Sequence, residues 1–501
     1  MTSAPRREDG ADPEHAVETD IPARLDRLPW SSWHWLVVIG LGITWILDGL
    51  GVTIVGSIGA VLEQADTLDL TAGQVGFTGT AYLIGAVIGA LVFGQLTDMY
   101  GRRRLFTVTL GLYVVASVLT ALAWDFWSFS LFRLITGLAI GGEYAAINSA
   151  IDELIPARIR GRVDLAVNGS YWAGAAAGAI ASIVLLNPNL IEQSLGWRLC
   201  FAIGVVLSVA IYFVRRTLPE SPRWLITHGR VDEAERVMAH IEREVIRADR
   251  LTSLAPAGRT MRIHPRRSIG FGTIVRTVFG QYRRRAFLGL SLMASQAFFY
   301  NAIFFTQALV LTKFFDVPPE RVGWYILPFA AGNFLGPLLL GPLFDAVGRR
   351  PMIAGTYALS AVLIVITGLL FVGGDLTAAS ITLLWSITFF VASPAASAAY
   401  LTVSEVFPLE IRALAIAFFY AIGTGIGGVV APWVFGALIE SQEAINVFYG
   451  YLVGAGLMLA AAVVVLIAGV PAERKSLEDV ATPLTAIPAG RGGLVTSADW
   501  P

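Results

Sequence analysis

Long apolar runs separated by short polar breaks occupy the chain from residue 33 to residue 470. Twelve stand out, at 33–60, 73–97, 105–124, 128–152, 164–186, 197–216, 286–311, 322–344, 351–372, 378–401, 412–438 and 447–470. Each holds roughly 20 residues or more, which at ~1.5 Å of helix per residue crosses a hydrocarbon layer of ~30 Å. A segment in lipid must pair every backbone N–H and C=O internally, so the runs predict transmembrane helices. The glycine steps Gly85–Gly89 and Gly137–Gly141 have the spacing that lets two helices pack backbone to backbone.

The polar remainder divides the chain. Residues 1–32 are expected to be a disordered cytoplasmic tail, 33–216 a first six-helix bundle, 217–285 a cytoplasmic helical linker, 286–470 a second bundle and 471–501 a second cytoplasmic tail. The first run is too long for the apolar region of a cleavable signal. In the linker, residues 231–250 set apolar positions at helical spacing among charges. That predicts an amphipathic helix, cytoplasmic or on the inner leaflet, with no specific partner. A Pro/Gly/Ser stretch near 253–270 reads as a flexible link, and the basic segment 271–285 as interfacial.

Composition agrees with a membrane protein. Charged residues make up 15% of the chain, apolar residues 55%, and mean hydropathy is +0.66; soluble domains carry nearer a quarter charged residues. Of the 36 Lys and Arg, only Lys313 and Arg321 fall in loops of one side, and Arg133 and Arg198 within spans. The rest lie on the side of both termini, which the positive-inside rule makes cytoplasmic. The expected setting is the inner membrane of a bacterial-type cell. The single Cys200 cannot form an internal disulfide.

The chain repeats itself. Gly94-x-Leu96-x-Asp98-x-x-Gly101-Arg102-Arg103 returns as Gly341-x-Leu343-x-Asp345-x-x-Gly348-Arg349-Arg350, 247 residues on. Glu153-x-x-Pro156-x-x-Ile159-Arg160 returns as Glu405-x-x-Pro408-x-x-Ile411-Arg412, 252 residues on, and Pro219 pairs with Pro471 at the same offset. Two similar halves follow. These loops, with Pro219-Glu220-Ser221-Pro222-Arg223-Trp224 after the sixth span, resemble the major facilitator superfamily and its sugar-porter-like branch, which includes bacterial metabolite:proton symporters. The segment 471–478 resembles that branch's closing motif, with Ala472 and Arg474 departing. The resemblance covers about residues 30–480. It implies an all-α membrane protein of twelve transmembrane helices in two pseudo-symmetric six-helix bundles, rocking about a site near mid-membrane.

The loop residues have physical roles. Gly94 and Gly341 let neighbouring helices approach, and Asp98 and Asp345 are short anions suited to a helix N-terminus. By resemblance, Arg102 and Arg349 pair with Glu153 and Glu405, and Arg160 and Arg412 complete a cytoplasmic gate. The alternative is that they anchor topology alone.

Charges inside the spans point to function by default. Asp48 lies about 15 residues into the first span, or ~22 Å, and Arg133 about 7 residues into the fourth, or ~11 Å from the other edge. Similar depths let them meet. Neither recurs in the second half, where Ser295 and Trp385 stand at the corresponding offsets. The resemblance implies that this pair couples transport to protons; a static buried pair is the alternative. Glu143 is assigned to the substrate cavity or, alternatively, to the cytoplasmic network. Further cavity candidates are Asn168, Tyr171, Gln296, Phe298, Tyr300, Asn301, Asn333, Trp385 and Tyr400. Only Gln296 and Asn301 match the sugar-porter pattern in the seventh span, whose wall is otherwise aromatic.

The expected function is secondary active transport, with protons, of a small organic solute, an organic or aromatic acid being favoured over a sugar or polyol. A transport-dead receptor on the same fold is the alternative of another class. No nucleophile–base pair, P-loop or His/Cys cluster points to an enzyme, a metal or a cofactor. The expected partners are the solute, protons and the bilayer; no nucleic acid is expected, and the protein is expected to be monomeric.

Overall fold

The computed structural model describes residues 17–216, 218–258, 260–263, 276–304, 306–484 and 486–487. Span 1 is Ser32–Leu62, span 2 Ala72–Tyr100, span 3 Arg102–Ala121, span 4 Phe126–Leu154 and span 6 Gln193–Arg215. Span 7 is Arg283–Phe304 with a continuation Gln307–Phe315, span 8 Pro319–Ala346, span 9 Arg349–Gly373, span 10 Ala378–Val406 and span 12 Ala444–Ala468. These ten are long and apolar enough to cross a membrane. Spans 5 and 11 are interrupted. Span 5 is Arg160–Gly169 followed by Tyr171–Leu185, and span 11 is Arg412–Gly423 and Val429–Glu440 joined by a π-helical turn at Thr424–Gly428. At the first break the Ser170 hydroxyl bonds Val167 O (2.6 Å) and Gly42 O of span 1 (2.9 Å). Backbone freed within a span is tolerated where a neighbouring helix satisfies it.

Glycines set the helix pairs. A Cβ on Gly137 or Gly141 would lie 2.0 Å from Tyr82 O or Ala86 O, and one on Gly85 or Gly89 2.0 Å from Leu134 O or Leu138 O. Spans 2 and 4 therefore interlock along both expected glycine steps. Spans 1 and 5 do the same, with Gly49 against Tyr171 O and Gly174 against Ile46 O, both at 1.9 Å. In the second bundle Gly336 meets Phe390 O of span 10 at 2.1 Å, and Gly427 meets Phe298 N of span 7 at 2.3 Å. In lipid no hydrophobic drive separates helix from solvent, so close approach and dispersion hold such pairs. Gly101 and Gly348, at φ +95° and +117°, turn the chain from span 2 into span 3 and from span 8 into span 9; positive φ favours glycine.

The N-terminal segment, the linker and the C-terminal segment gather on one face, called here the terminal face. The expected disorder of the first tail fails from residue 17. Strand β1 (Val17–Thr19) pairs antiparallel with β2 (Met261–Ile263), and β2 with β3 (Ala486–Ile487). Helix Ile21–Asp26 follows, and Ile21, Leu25 and Leu28 are buried. Those apolar residues recur at helical spacing, a stripe too short to stand out in a polar tail. Residues 1–16 lie outside the described residues.

The linker helix is present as Val231–Asp249, but its apolar face of Ala234, Met238, Ile241 and Val245 is buried against protein, not lipid. Arg24 pairs with Glu235 (2.6 Å) and Glu242 (2.7 Å) to hold the N-terminal segment on it. The stretch expected to be a flexible link supplies β2. Of the expected interfacial segment 271–285, residues 271–275 lie outside the described residues; Thr277 and Val278 are buried. Arg223 ties these pieces together, through Asp26 (3.2 Å), Glu478 (2.9 Å) and the carbonyl of Glu153 (2.8 Å). Burial works against its cation, but Glu478 and Asp26 outweigh burial and raise its pKa.

Gly174→Ala should lower the melting temperature of the detergent-solubilised protein, since overpacking costs about 1–3 kcal/mol. Gly111→Ala, where a Cβ meets nothing within 4 Å, should leave it unchanged. Equal melting curves for the two variants would refute the interlock.

Candidate functional site

The packing of spans 2 on 4 and 1 on 5 brings Asp48, Tyr82, Arg133, Tyr144 and Tyr171 to one cavity of about 670 Å³ between the bundles. Nine of its lining side chains are aromatic, six of them tyrosine. The lining continues along spans 1 and 2, away from the terminal face, to Gly59 and Val75.

Asp48 is 2% exposed and accepts hydrogen bonds from the hydroxyls of Tyr82 (2.5 Å) and Tyr144. The expected direct pairing with Arg133 is not made. Tyr82 stands between them: its hydroxyl is on Asp48, and its ring lies beneath the Arg133 guanidinium, 4.7 Å from the centroid. Phe201 faces the same guanidinium at 5.8 Å. Among the described residues Arg133 forms no ion pair, and its buried Nε has no hydrogen-bond partner.

Around Asp48 the rings interlock. Trp45 stacks on Tyr144 at 4.5 Å, Tyr144 meets Tyr420 edge-on at 4.7 Å, and Tyr400 meets Trp45 edge-on at 5.8 Å. Trp172 meets Phe304 edge-on at 5.2 Å, with Tyr300 5.9 Å away. Such offset and edge-on geometries are the favoured ones for aromatic pairs.

Eight of the sequence candidates line this cavity: Asp48, Arg133, Asn168, Tyr171, Gln296, Tyr300, Asn301 and Tyr400. Four assigned to it do not. Phe298 turns away to Phe435, because span 7 presents Gln296, Tyr300 and Phe304 at intervals of four residues, and position 298 falls on the other side. Asn333 is a layer behind, accepting from Tyr300 Oη–H at 2.8 Å. Trp385 is buried on span 10, two turns from Ser393, where that helix reaches the cavity. Glu143 is rotated off the face of Tyr144 and accepts from Thr109 of span 3 at 3.2 Å.

Sequence reasoning missed Trp45, Tyr82, Tyr144 and Tyr420 as lining residues. Trp45 lies one turn before Asp48, and Tyr82 lies one turn before the Gly85 step, so both carried a positional signal. Tyr420 carried none, since nothing in span 11 marks its face.

On the terminal face the repeated loops meet. Arg102 pairs with Glu153 (2.7 Å) and Asp98 (3.2 Å). Arg349 pairs with Glu405 (3.0 Å) and Asp345 (2.7 Å) and bonds Phe344 O (2.8 Å). Each loop aspartate also reaches across to the other bundle. Asp98 accepts from Leu414 N at the start of span 11 (3.0 Å), and Asp345 from Arg162 N (2.8 Å) and Gly161 N (3.2 Å) at the start of span 5. Helix N-termini are where such anions bind. Arg160 lies 3.7 Å from Glu405, and Arg412 3.9 Å from Glu153. All eight gate candidates thus fall in one buried network that clamps the bundles together. Glu220 adds to it by accepting from the backbone N–H of Arg102 (3.0 Å) and Arg103 (3.2 Å).

Two six-helix bundles, a cavity between them and a charged clamp on one face are the architecture of a membrane carrier. The sugar (and other) transporter family matches residues 59–483, and the chain belongs to that family. It is a multi-pass integral membrane transporter of small solutes within the major facilitator superfamily. It is similar to the niacin transporter NiaP of Acinetobacter baylyi, 26% identical over 92% of this chain and 99% of that protein. It is 25% identical to a D-xylose transporter of Levilactobacillus brevis, over 78% of this chain and 84% of that one. The solved proton:xylose symporter XylE bound to 6-bromo-6-deoxy-D-glucose has the same fold, with a TM-score of 0.72 at 20% identity, over 90% of this chain and 98% of that one.

Arg349→Ala leaves Glu405 buried beside an empty space; breaking a buried pair in this way costs about 3–5 kcal/mol. The clamp should loosen, and a cysteine placed below it should react faster with a reagent added on the terminal side, in a background lacking Cys200. An unchanged labelling rate would reduce Arg349 to a topology anchor.

Proposed function

We propose that the protein takes up a small organic acid, aromatic in its favoured form, together with protons. The observation that carries this is Arg133, a buried cavity-lining guanidinium with no anionic partner among the described residues. A buried cation left without a counter-ion is costly, so the site favours a ligand that brings one. The planar donor fork suits a carboxylate, and the tyrosine and tryptophan rings suit a flat apolar body. One relative is named a niacin transporter, and niacin is an aromatic carboxylic acid.

Proton coupling follows from the arrangement at Asp48. As a carboxylate it accepts from Tyr82 and Tyr144 at once. Once protonated it must itself donate, and one tyrosine contact is lost or reversed. Release of Tyr82 frees the ring on which Arg133 rests. Proton uptake by Asp48 and carboxylate capture by Arg133 then favour the same state, and each tightens the other. Both chain ends lie on the cytoplasmic side in this reading, so the clamp is the cytoplasmic gate of a monomeric carrier in a bacterial inner membrane.

A sugar or polyol is the second reading, favoured by Gln296 and Asn301 in the lining and by the xylose carriers among the similar proteins. Titration calorimetry with aromatic monocarboxylates and with pentoses separates the two. Acids should bind, and Arg133→Gln should weaken them at least tenfold. Pentose binding that survives Arg133→Gln, with no acid binding at any pH, would overturn the proposal. In proteoliposomes, Asp48→Asn should retain exchange but lose accumulation driven by an acid-outside gradient; undiminished accumulation would remove Asp48 from the coupling.

A further inference from the structure

A polar stripe runs from Asp48 to the clamp. On span 4, Tyr144, Asn148 and Asp152 recur every four residues, and on span 5 so do Arg160, Asp164 and Asn168. Residues so spaced share a helix face. The two faces meet. Tyr144 bonds Asp48, Asn148 Nδ2 donates to Tyr144 O (2.8 Å), and Asn168 Nδ2 donates to Asn148 Oδ1 (3.1 Å) and to Asp164 O (2.9 Å). One turn beyond the asparagine pair, toward the terminal face, lie Asp152 and Asp164, both 0% exposed.

These two aspartates have no part in the clamp. Neither forms an ion pair or accepts a hydrogen bond with bonding geometry from a described residue. Their neighbouring donors are spent elsewhere: Ser404 Oγ–H on Leu401 O (2.8 Å), and both Asn168 amide hydrogens on the contacts above. Asp152 lies in the field of Arg160, Arg412 and Glu405, and Asp164 in that of Asp152, Glu405 and Arg349. Arg349 is bonded to Glu405 and Asp345, Arg412 donates to the carbonyls of Ser404 and Phe407, and Arg160 lies 3.7 Å from Glu405, so none of the three forms an ion pair with either aspartate.

The ion pairs point the same way. Asp98, Glu153, Asp345 and Glu405 each lie within 4 Å of the guanidinium of Arg102 or Arg349, and among the described residues Asp152 and Asp164 have no such pair. Symmetry separates them as well. Glu153 and Arg160 recur as Glu405 and Arg412, whereas Ser404 and Ile416 stand where Asp152 and Asp164 would. The clamp therefore needs the repeated residues and not these two.

We propose that Asp152 and Asp164 form a second proton-binding site, which takes the proton released by Asp48 and passes it to the terminal side as the clamp opens. The inference rests on the reading of Asp48 as the coupling carboxylate. The step is a proton transfer: the O–H bond of the Asp48 acid breaks, one forms on the carboxylate of Asp164 or Asp152 through water along the stripe, and the Asp48 carboxylate regains both tyrosine donors. When the clamp parts, water reaches the pair and carries the proton away as hydronium, leaving the aspartate a carboxylate.

Infrared spectroscopy of the purified protein tests this through the band of protonated carboxyl groups, followed from mildly acidic to mildly alkaline pH with no ligand. In Asp48→Asn protein part of the band should remain, and adding Asp152→Asn or Asp164→Asn should remove part of that remainder. Arg349→Ala, by admitting water, should shift the loss of the remaining band to lower pH. A remaining band that is identical with and without both aspartates overturns the proposal. If the asparagine variants fail to fold, Asp164→Glu in protein carrying isotope-labelled aspartate gives the same answer. Band intensity must then appear at the unlabelled position, and its absence relative to labelled wild type also overturns the proposal. Gradient-driven accumulation by the wild type reports separately on Asp48, so the two readings can fail apart.

Discussion

The contact on which the assembly depends is a carboxylate at the start of someone else's helix. Asp98 belongs to the first bundle but satisfies the first turn of span 11, and Asp345 belongs to the second but satisfies the first turn of span 5. The free N–H groups of a helix start need an acceptor, and each bundle keeps that acceptor on the other. Arg102 and Arg349 hold the aspartates in place and draw in Glu153 and Glu405, the acids at the ends of spans 4 and 10. Separating the bundles would uncover both helix ends together.

Much of this was legible in the chain. Apolar run length marked all twelve spans, because lipid leaves the backbone no other way to pair. The repeated loops marked the clamp, since glycine, aspartate and arginine at fixed offsets are a geometry and not a composition. The glycine steps marked where helices could pack closely, though not which helix each would meet. What escaped was rotation. An error of one residue turns a helical side chain by ~100°, which is why Phe298 fell on the wrong face, Glu143 was left open between cavity and network, and Tyr144 went unnoticed beside it. The aromatic lining escaped for a further reason: in a chain with 28 Phe, 14 Tyr and 13 Trp, a ring in a cavity looks like a ring in lipid. The folded N-terminal segment escaped because its stripe is short and its partners, Glu235 and Glu242, lie some two hundred residues away.

The two bundles share a scaffold but not a chemistry. The interlocked glycines and the clamp occur in both. Asp48, Asp152 and Asp164 sit in the first, together with Arg133 and five of the nine rings that line the cavity; the second contributes Tyr300, Phe304, Tyr400, Tyr420, Gln296 and Asn301 and, among the described residues, no charged side chain to the lining. The two walls of the cavity differ in charge and not in aromatic content.

The small sheet on the terminal face joins three distant parts of the chain. Its strands come from the N-terminal segment, the linker and the C-terminal segment, which lead into the first bundle, run between the bundles and leave the second. β3 pairs through two residues only, and at about 0.5–1.5 kcal/mol net per backbone bond that joint is the weaker edge of the sheet. The bundles are thus fastened on this face by backbone pairing as well as by charge, at a place remote from the cavity.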